Sequence, residues 1–370
     1  MKPRILITTG NGRTGSIAAI ELARRGYRVR ALVHRDDRRA AKLREADVEV
    51  AVGNLYDWRD LRAALRDVQR AYHCPPFDPR QLHGSMMFAL AVEEANLEVV
   101  ALMSGWNPHP VHPSIVQREH WLANNLYRRL SFDVIHVNPG LFAFTYLLGL
   151  PAIVHLGLLA LPFGEGLNAP PSNEDIGALA AGVLDNPAPY VGRCLRPTGP
   201  RLISPDDVAA SLGDVLGRRV RYRDVSTRMF VKAARAQGFP TFQVAQVRHY
   251  AGELRDGAFA DVTDHFEEVC DRPPEDFTTI ARRYVADPGR IMPGLDAGTR
   301  AGAIALASRM MLARAPDLDH WESTRDYPTV SGGTLAHQNP DWVAAAQRGQ
   351  LHLLERPAPR TFGASTSVGA

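Results

Sequence analysis

The chain of 370 residues is 45% hydrophobic and 22% charged, the balance of a globular protein long enough to bury a large core. A formal net charge of +3, with no basic block interleaved with aromatics, argues against a nucleic-acid partner. Cys74, Cys194 and Cys270 lie far apart with no C-x-x-C spacing, which argues against a structural disulfide or zinc site and for a reducing, cytoplasmic setting.

The sequence enters its first strand at once, Ile5-Leu6-Ile7, which leaves no room for a signal peptide ahead of it. That strand runs into Thr8-Thr9-Gly10-Asn11-Gly12-Arg13-Thr14-Gly15, and a helical run from Ser16 to Leu22 follows. A G-x-G-x-x-G run between strand and helix is the fingerprint of a dinucleotide site. Gly10 is expected to let the chain turn, Gly12 to let backbone approach a pyrophosphate, and Gly15 to let helix and strand pack closely. The helix N-terminus would face the phosphates.

Strand and helix then alternate. Strands are expected at Tyr27 to Val33, Val48 to Val52, Val68 to His73, Leu97 to Met103 and Phe132 to Val137. Helices are expected at Arg38 to Glu45, Trp58 to Arg66, Gln81 to Ala95 and Ser114 to Arg129. This alternation predicts an α/β fold with a doubly wound parallel sheet of the Rossmann type over residues 1–140.

Residues 141–288 read as a smaller α/β and helical lobe closing over the carboxyl edge of the sheet. Ser172-Asn173-Glu174-Asp175 reads as a capping box with Asp in place of Glu, ahead of the apolar run Ile176 to Leu184. Ser204-Pro205-Asp206-Asp207 sets a cap, an N1 proline and two acids before another helix. Strands at Cys194 to Pro197 and Val220 to Val225 are expected, with helices at Thr227 to Gln237, Thr241 to Leu254 and Pro274 to Val285. Residues 289–370 form an extension with a helix at Ala297 to Ala313, read as a lid or an oligomer arm, and a mobile tail from Phe362 to Ala370.

Leu141 to Gly164 carries no charged side chain and is long enough to span a bilayer, but Pro151, His155, Pro162 and several glycines interrupt it. The wall of a ligand pocket, or a subunit contact in a homo-oligomer, explains it better than a stable membrane span.

Ligands of such sheets sit beyond the carboxyl ends of the strands. Arg35 stands where NAD-dependent proteins usually place a carboxylate, and with Arg13 it favours NADP, through charge-assisted bonds to a 2′-phosphate. NAD remains the alternative, since a strand ending one residue later would present Asp36. Asn54 and Leu55 are placed at the adenine edge, and Cys74 and Pro75 along the cofactor. Met103, Ser104, Asn138, Pro139 and Gly140 are placed around the nicotinamide, with Ser104 a hydrogen-bond donor to a substrate carbonyl.

These residues carry a family resemblance. The glycine loop, Arg35, Asn138-Pro139-Gly140, Pro171 to Ile176 and Pro197-Thr198-Gly199-Pro200 together resemble the NmrA-like branch of the atypical short-chain dehydrogenases/reductases, over residues 1–287. The family loop usually holds one residue more. The resemblance implies NAD(P) binding and either reductase activity or a non-catalytic redox-sensing role exercised through a protein partner.

Typical short-chain reductases carry Tyr-x-x-x-Lys on the helix after the fifth strand, and here no lysine occurs between Lys42 and Lys232. His120 on that helix is the candidate general acid, because an imidazole titrates near neutrality. Arg118 and Glu119 are weaker candidates, and His109, His112 and His120 lack the spacing of a metal site, so no metal is expected. Trp106, His120, Phe142, Phe144 and Tyr146 are the expected substrate contacts. The chain thus reads as an NAD(P)H-dependent reductase of a small hydrophobic carbonyl, quinone-like, polycyclic or conjugated substrate.

Overall fold

The computed structural model describes residues 2–347 apart from 326 and 329. The tail expected at Phe362 to Ala370 lies outside the described residues.

The first half alternates as expected: β1 (Arg4–Ile7), α1 (Arg13–Arg24), β2 (Arg28–Val33), α2 (Arg38–Arg44), β3 (Glu49–Val52), α3 (Trp58–Ala64), β4 (Arg70–His73), α4 (Gln81–Ala95), β5 (Val99–Met103), α5 (Ile115–Tyr127) and β6 (Asp133–Val137). The apolar stretch then folds into a 3-10 turn (Ala143–Leu147), α6 (Leu150–Leu156) and β7 (Leu158–Leu161). No described helix is long and apolar enough to cross a membrane. The lobe continues with α7 (Asn173–Asp185), β8 (Cys194–Leu195), α8 (Pro205–Leu216), β9 (Arg221–Asp224), α9 (Thr227–Ala236), α10 (Thr241–Arg255), α11 (His265–Cys270) and α12 (Phe277–Ala286). The extension holds α13 (Arg300–Leu312), α14 (Leu318–Ser323) and α15 (Pro340–Gln347).

Seven parallel strands form the main sheet in the order β3-β2-β1-β4-β5-β6-β8. The order reverses between β1 and β4, so the crevice for a ligand opens beyond Ile7 and His73. Side chains of β1 alternate between the two faces: Ile5 and Ile7 pack with the α1 and α7 side, Leu6 with Phe88 and Val92 of α4 on the other. α7 lies along α1, and Gly177 makes that approach possible, since a Cβ there would stand 2.7 Å from Ile17. The chain therefore re-enters the large sheet after residue 170, and the boundary expected at residue 140 separates α7 and β8 from the layers they complete.

Two caps are realised. Ser172 Oγ accepts from Asp175 N–H at 2.8 Å, but the Asp175 carboxylate turns to Arg272 and the Glu275 N–H, so the expected box is half made. Ser204 and Asp207 form a full capping box, with Pro205 in the first turn of α8. β7 and β9 pair parallel in a small second sheet of the lobe.

Candidate active site

The turn after β1 does not start at Gly10. Thr9 takes the left-handed conformation, φ +48°, and Gly12 N–H closes the turn onto the Thr9 carbonyl at 2.7 Å. Gly10 instead packs on β2, where a Cβ would stand 2.5 Å from Ala31 Cβ. Gly15 brings α1 against the strand, since a Cβ there would meet the Thr9 carbonyl at 2.7 Å and Ile7 at 3.4 Å. The left-handed position that opens the loop is thus held by a threonine.

The two threonines at the end of β1 clamp the end of β4. Thr8 Oγ1 accepts from the Cys74 N–H at 3.0 Å and Thr9 Oγ1 donates to the Cys74 carbonyl at 2.8 Å. Behind this clamp His73 Nδ1 lies 3.1 Å from Thr8 Oγ1 and Nε2 lies 3.2 Å from Ser85 Oγ. Burial holds its pKa down to about 3, so it is a neutral linker.

α1 starts at Gly12 with no side-chain cap. Its first-turn N–H groups, on Arg13, Thr14 and Gly15, have no intrahelical acceptor, and Gly12, Arg13 and Thr14 line the crevice, as an anion site requires. At the end of β2 the carboxylates are engaged elsewhere. Asp36 pairs with Arg44 through both oxygens at 2.8 and 2.7 Å, and Asp37 caps α2 while pairing with Arg39. Arg35 is exposed and makes no hydrogen bond with the described residues. These features fit a dinucleotide with a 2′-phosphate.

Arg13 does not reach towards Arg35. Its Nε donates to the Ile291 carbonyl at 2.7 Å and its guanidinium lies 4.3 Å from the Phe144 ring centre. Asn54 is likewise committed: its Oδ1 accepts from Tyr56 N–H at 3.0 Å in the turn before α3, and Leu55 is buried below.

One cavity of about 570 Å³ begins at Thr9, Gly12, Arg13 and Thr14. It passes Cys74 and Pro75, then Met103, Ser104 and Trp106, then Pro139 and Gly140, and ends among apolar side chains of residues 141–161, α9, α10 and α13. Gly10, Asn11, Gly15, Arg35, Asn54, Leu55 and Asn138 lie outside its lining. Asn138 instead holds the strand ends in register, its Nδ2 donating to the Gly105 carbonyl at 2.7 Å. Trp106 is a fixed wall, with Nε1 bonded to the Ala258 carbonyl at 2.8 Å and the Arg196 guanidinium 4.0 Å from its ring centre. Phe142, Phe144 and Tyr146 all line the cavity, the first two half-buried at its edge and Tyr146 fully buried, with its ring against Phe163 and Phe277 of the lobe core.

His120 lines the cavity from α5. Burial lowers its pKa to about 4, which corrects the expectation of an imidazole titrating near neutrality. At pH 7 it is a neutral hydrogen-bonding ring. Arg118 and Glu119 turn away: Arg118 holds the carbonyls of Pro113 and Pro328, and Glu119 accepts from the Leu82 N–H at the start of α4. The tyrosine of α5, Tyr127, is buried with its hydroxyl on the Ser85 carbonyl at 2.9 Å. Among residues lining the cavity, Arg13 alone carries a formal charge at neutral pH.

Several lining residues escaped sequence reasoning. Gln117 and Tyr250 line the wall from α5 and α10, and Ala303, Leu306, Ala307 and Met310 roof it from α13. Alternation of strands marks the floor of such a site, but nothing local in the sequence indicates which distant helix covers it.

The comparisons agree with this geometry. Residues 1–99 match the NmrA-like family model. The chain is 28% identical to the NAD(P)H azoreductase of Xenophilus azovorans over 284 residues, 76% of this chain and 98% of the enzyme. Among solved structures it is similar to an NADPH-dependent quinone oxidoreductase of Escherichia coli in complex with NADPH, with TM-score 0.68 and 19% identity over 75% of this chain and 99% of the other. It is also similar to the negative transcriptional regulator NmrA in complex with NADP, with TM-score 0.66 and 18% identity over 80% of this chain and 99% of the regulator. These likenesses agree with the resemblance to the NmrA-like branch of the atypical short-chain dehydrogenases/reductases, and the solved structures share the fold.

Proposed function

We propose that the protein is an NAD(P)H-dependent reductase, with NADP the favoured cofactor, that transfers hydride to a small hydrophobic aromatic acceptor such as a quinone, a conjugated carbonyl or an azo compound. The observation that carries this reading is the continuity of the cavity, from the free N–H groups of α1 to an apolar chamber that meets them at the ends of β5 and β6. The likeness to an NAD(P)H azoreductase supports it. Free cysteines among the described residues support a cytoplasmic setting.

When bound, the reduced nicotinamide supplies the hydride. The first turn of α1 would hold the pyrophosphate, and Arg35 the 2′-phosphate. The apolar walls exclude water and hold a planar acceptor close to the strand ends, where orientation supplies much of the rate. Ser104 offers a hydroxyl, and neutral His120 can pass a proton only by taking one at its second nitrogen. Acceptors that delocalise the arriving electron pair suit such a site, because no charged acid stands in it.

A non-catalytic NAD(P) sensor acting through a protein partner is the second reading, favoured by the absent Tyr-Lys pair. Rapid mixing of the NADPH-loaded protein with menadione separates the two. Loss of the nicotinamide absorbance in a single turnover supports the reductase. Tight NADPH binding without that loss, with menadione and azobenzene alike, supports the sensor.

A further inference from the structure

Around the Ser104–Gly105 peptide, at the end of β5, three buried polar atoms have no partner among the described residues: Ser104 Oγ, Gln117 Oε1 and Asn138 Oδ1. Ser104 and Gln117 both line the cavity, although they are only 5% and 2% exposed. The amide of Gln117 lies on the α-carbon of Gly105, where a methyl group would stand 2.2 Å from Oε1. Asn138 pins the same glycine through its carbonyl. His120 follows Gln117 by three positions on α5, on the same face.

Buried polar atoms are almost always paired, so two unpaired ones on residues that line one apolar chamber point to a polar group of a ligand. Neither side chain is charged, and the chamber offers no carboxylate or lysine, so that group is neutral. A hydroxyl can donate or accept, and an amide can present oxygen or NH2 by rotation about its last torsion. Such a pair suits an atom that changes from acceptor to donor during reduction.

Building on the reductase reading, we propose that Gln117 is a catalytic residue: its amide, together with the Ser104 hydroxyl, holds the substrate oxygen or nitrogen that receives the electron pair. With a carbonyl acceptor, hydride adds to carbon, the carbon–oxygen π bond breaks and its electrons settle on oxygen. Ser104 Oγ–H and Gln117 Nε2–H donate to that oxygen until a proton from water, relayed past His120, completes the hydroxyl. With an azo acceptor, one nitrogen takes the hydride, the π pair moves to the other, and that nitrogen takes the proton. The new N–H then donates to Gln117 Oε1. The acceptor gains two electrons and two hydrogens in either case, one from the nicotinamide and one from water. The donors are in place before charge develops, as electrostatic stabilisation requires.

The test uses the full chain loaded with NADP+, so that no turnover occurs, and menadione as probe. Infrared difference spectra should show the menadione carbonyl stretch lowered in the wild type relative to an apolar solvent. Gln117→Leu should lose most of that shift. In NADPH turnover with menadione the same variant should lose about 100-fold in kcat, with the dissociation constant for NADPH unchanged. Gly105→Ala, which keeps the amide in the sequence but drives it from its seat, should give both losses, with circular dichroism confirming the fold. An unchanged stretch and unchanged kcat in Gln117→Leu would overturn the assignment and leave the reductase reading intact. Loss of NADPH affinity instead would also overturn it, by giving the amide to the dinucleotide. A Gln117-dependent carbonyl shift in a wild type that never oxidises NADPH would overturn the reductase reading and the catalytic role with it.

Discussion

Arg13 Nε donates to the main-chain carbonyl of Ile291 at 2.7 Å, joining the glycine loop to a segment 278 residues further along the chain. Ile291 is fully buried in the lobe core and lies at the root of the extension. The entrance of the dinucleotide cleft and the start of the roof therefore share one contact. A hydrogen bond from a charged group contributes about 1.5–3 kcal/mol, of which 1.4 is a factor of ten in an opening equilibrium. Arg13→Leu should accordingly speed trypsin cleavage after Arg290 and Arg300 by roughly ten-fold. Unchanged cleavage would mean that the root of the extension is held by its other contacts alone, chiefly the ion pair of Arg290 with Glu174 at 2.9 Å.

Thr9 sets two effects against each other. A β-branched residue at φ +48° is strained, at about 1–3 kcal/mol, while its hydroxyl bond to Cys74 contributes about 0.5–1.5 kcal/mol. Thr9→Gly relieves the strain, loses the bond and adds backbone entropy to the unfolded chain. It should stay within about 1 kcal/mol of the wild type. Thr9→Val keeps the strain and loses the bond, so it should be the least stable of the three by about 1 kcal/mol. Urea unfolding of the three proteins checks the order, and a valine variant as stable as the wild type would contradict it.

Glu253 makes stability pH-dependent. Its carboxyl is wholly buried between Asn107 Nδ2 at 3.1 Å and His112 Nε2 at 3.2 Å, and burial raises its pKa from 4.5 to about 8. The folded state therefore binds more protons than the unfolded chain between those values. Its contribution is complete below 4.5, declines as pH rises and is gone above about 8. Glu119, raised to about 7 by burial, acts in the same direction. The buried histidines His73, His112, His120, His136 and His249, held down to about 3 or 4, act in the opposite direction until the unfolded imidazoles have lost their protons, about one unit above 6.5. Wild-type stability should therefore fall from about pH 7.5 to 8.5, and Glu253→Gln should lessen that fall. Denaturation midpoints across this range decide it; parallel declines in both proteins would rule Glu253 out as a source.

α9 and α13 cap each other. Lys232 Nζ donates to the Met311 carbonyl at the end of α13, and the Arg309 guanidinium donates to the Ala236 carbonyl at the end of α9. This locks the roof residue Leu306 over the cavity. A carboxylate at that position would have to be desolvated by any apolar ligand. Leu306→Asp should raise KM for menadione at least ten-fold, on the order of 1.4 kcal/mol, and leave the NADPH dissociation constant unchanged. An unchanged KM would show that the acceptor does not reach the α13 end of the chamber.

The sheet was legible because its strands are short apolar runs separated by helices of ordinary length, and Ile5 to Ile7 end in a loop rich in glycine. The roles within that loop were not. A threonine at positive φ looks like any strand residue, so Gly10 drew the reading that belongs to Thr9. Ser104 and His120 were legible from their places beyond β5 and on α5, but the neutrality of His120 depends on walls contributed by distant segments. Gln117 went unnoticed because its meaning comes from Gly105, twelve residues away, whose missing side chain makes room for it. Short elements such as α6, α11 and α14 carry too few apolar repeats to be distinguished from loops.

The most direct measurement follows deuterium from C4-deuterated NADPH into an acceptor that keeps it on carbon. Malachite green is suitable, because its reduction needs hydride at the central carbon and no proton. Each NADPH consumed should yield one leuco-dye carrying the label. Tight NADPH binding with no labelled product, and no NADPH consumption with menadione or azobenzene either, would contradict the reductase reading.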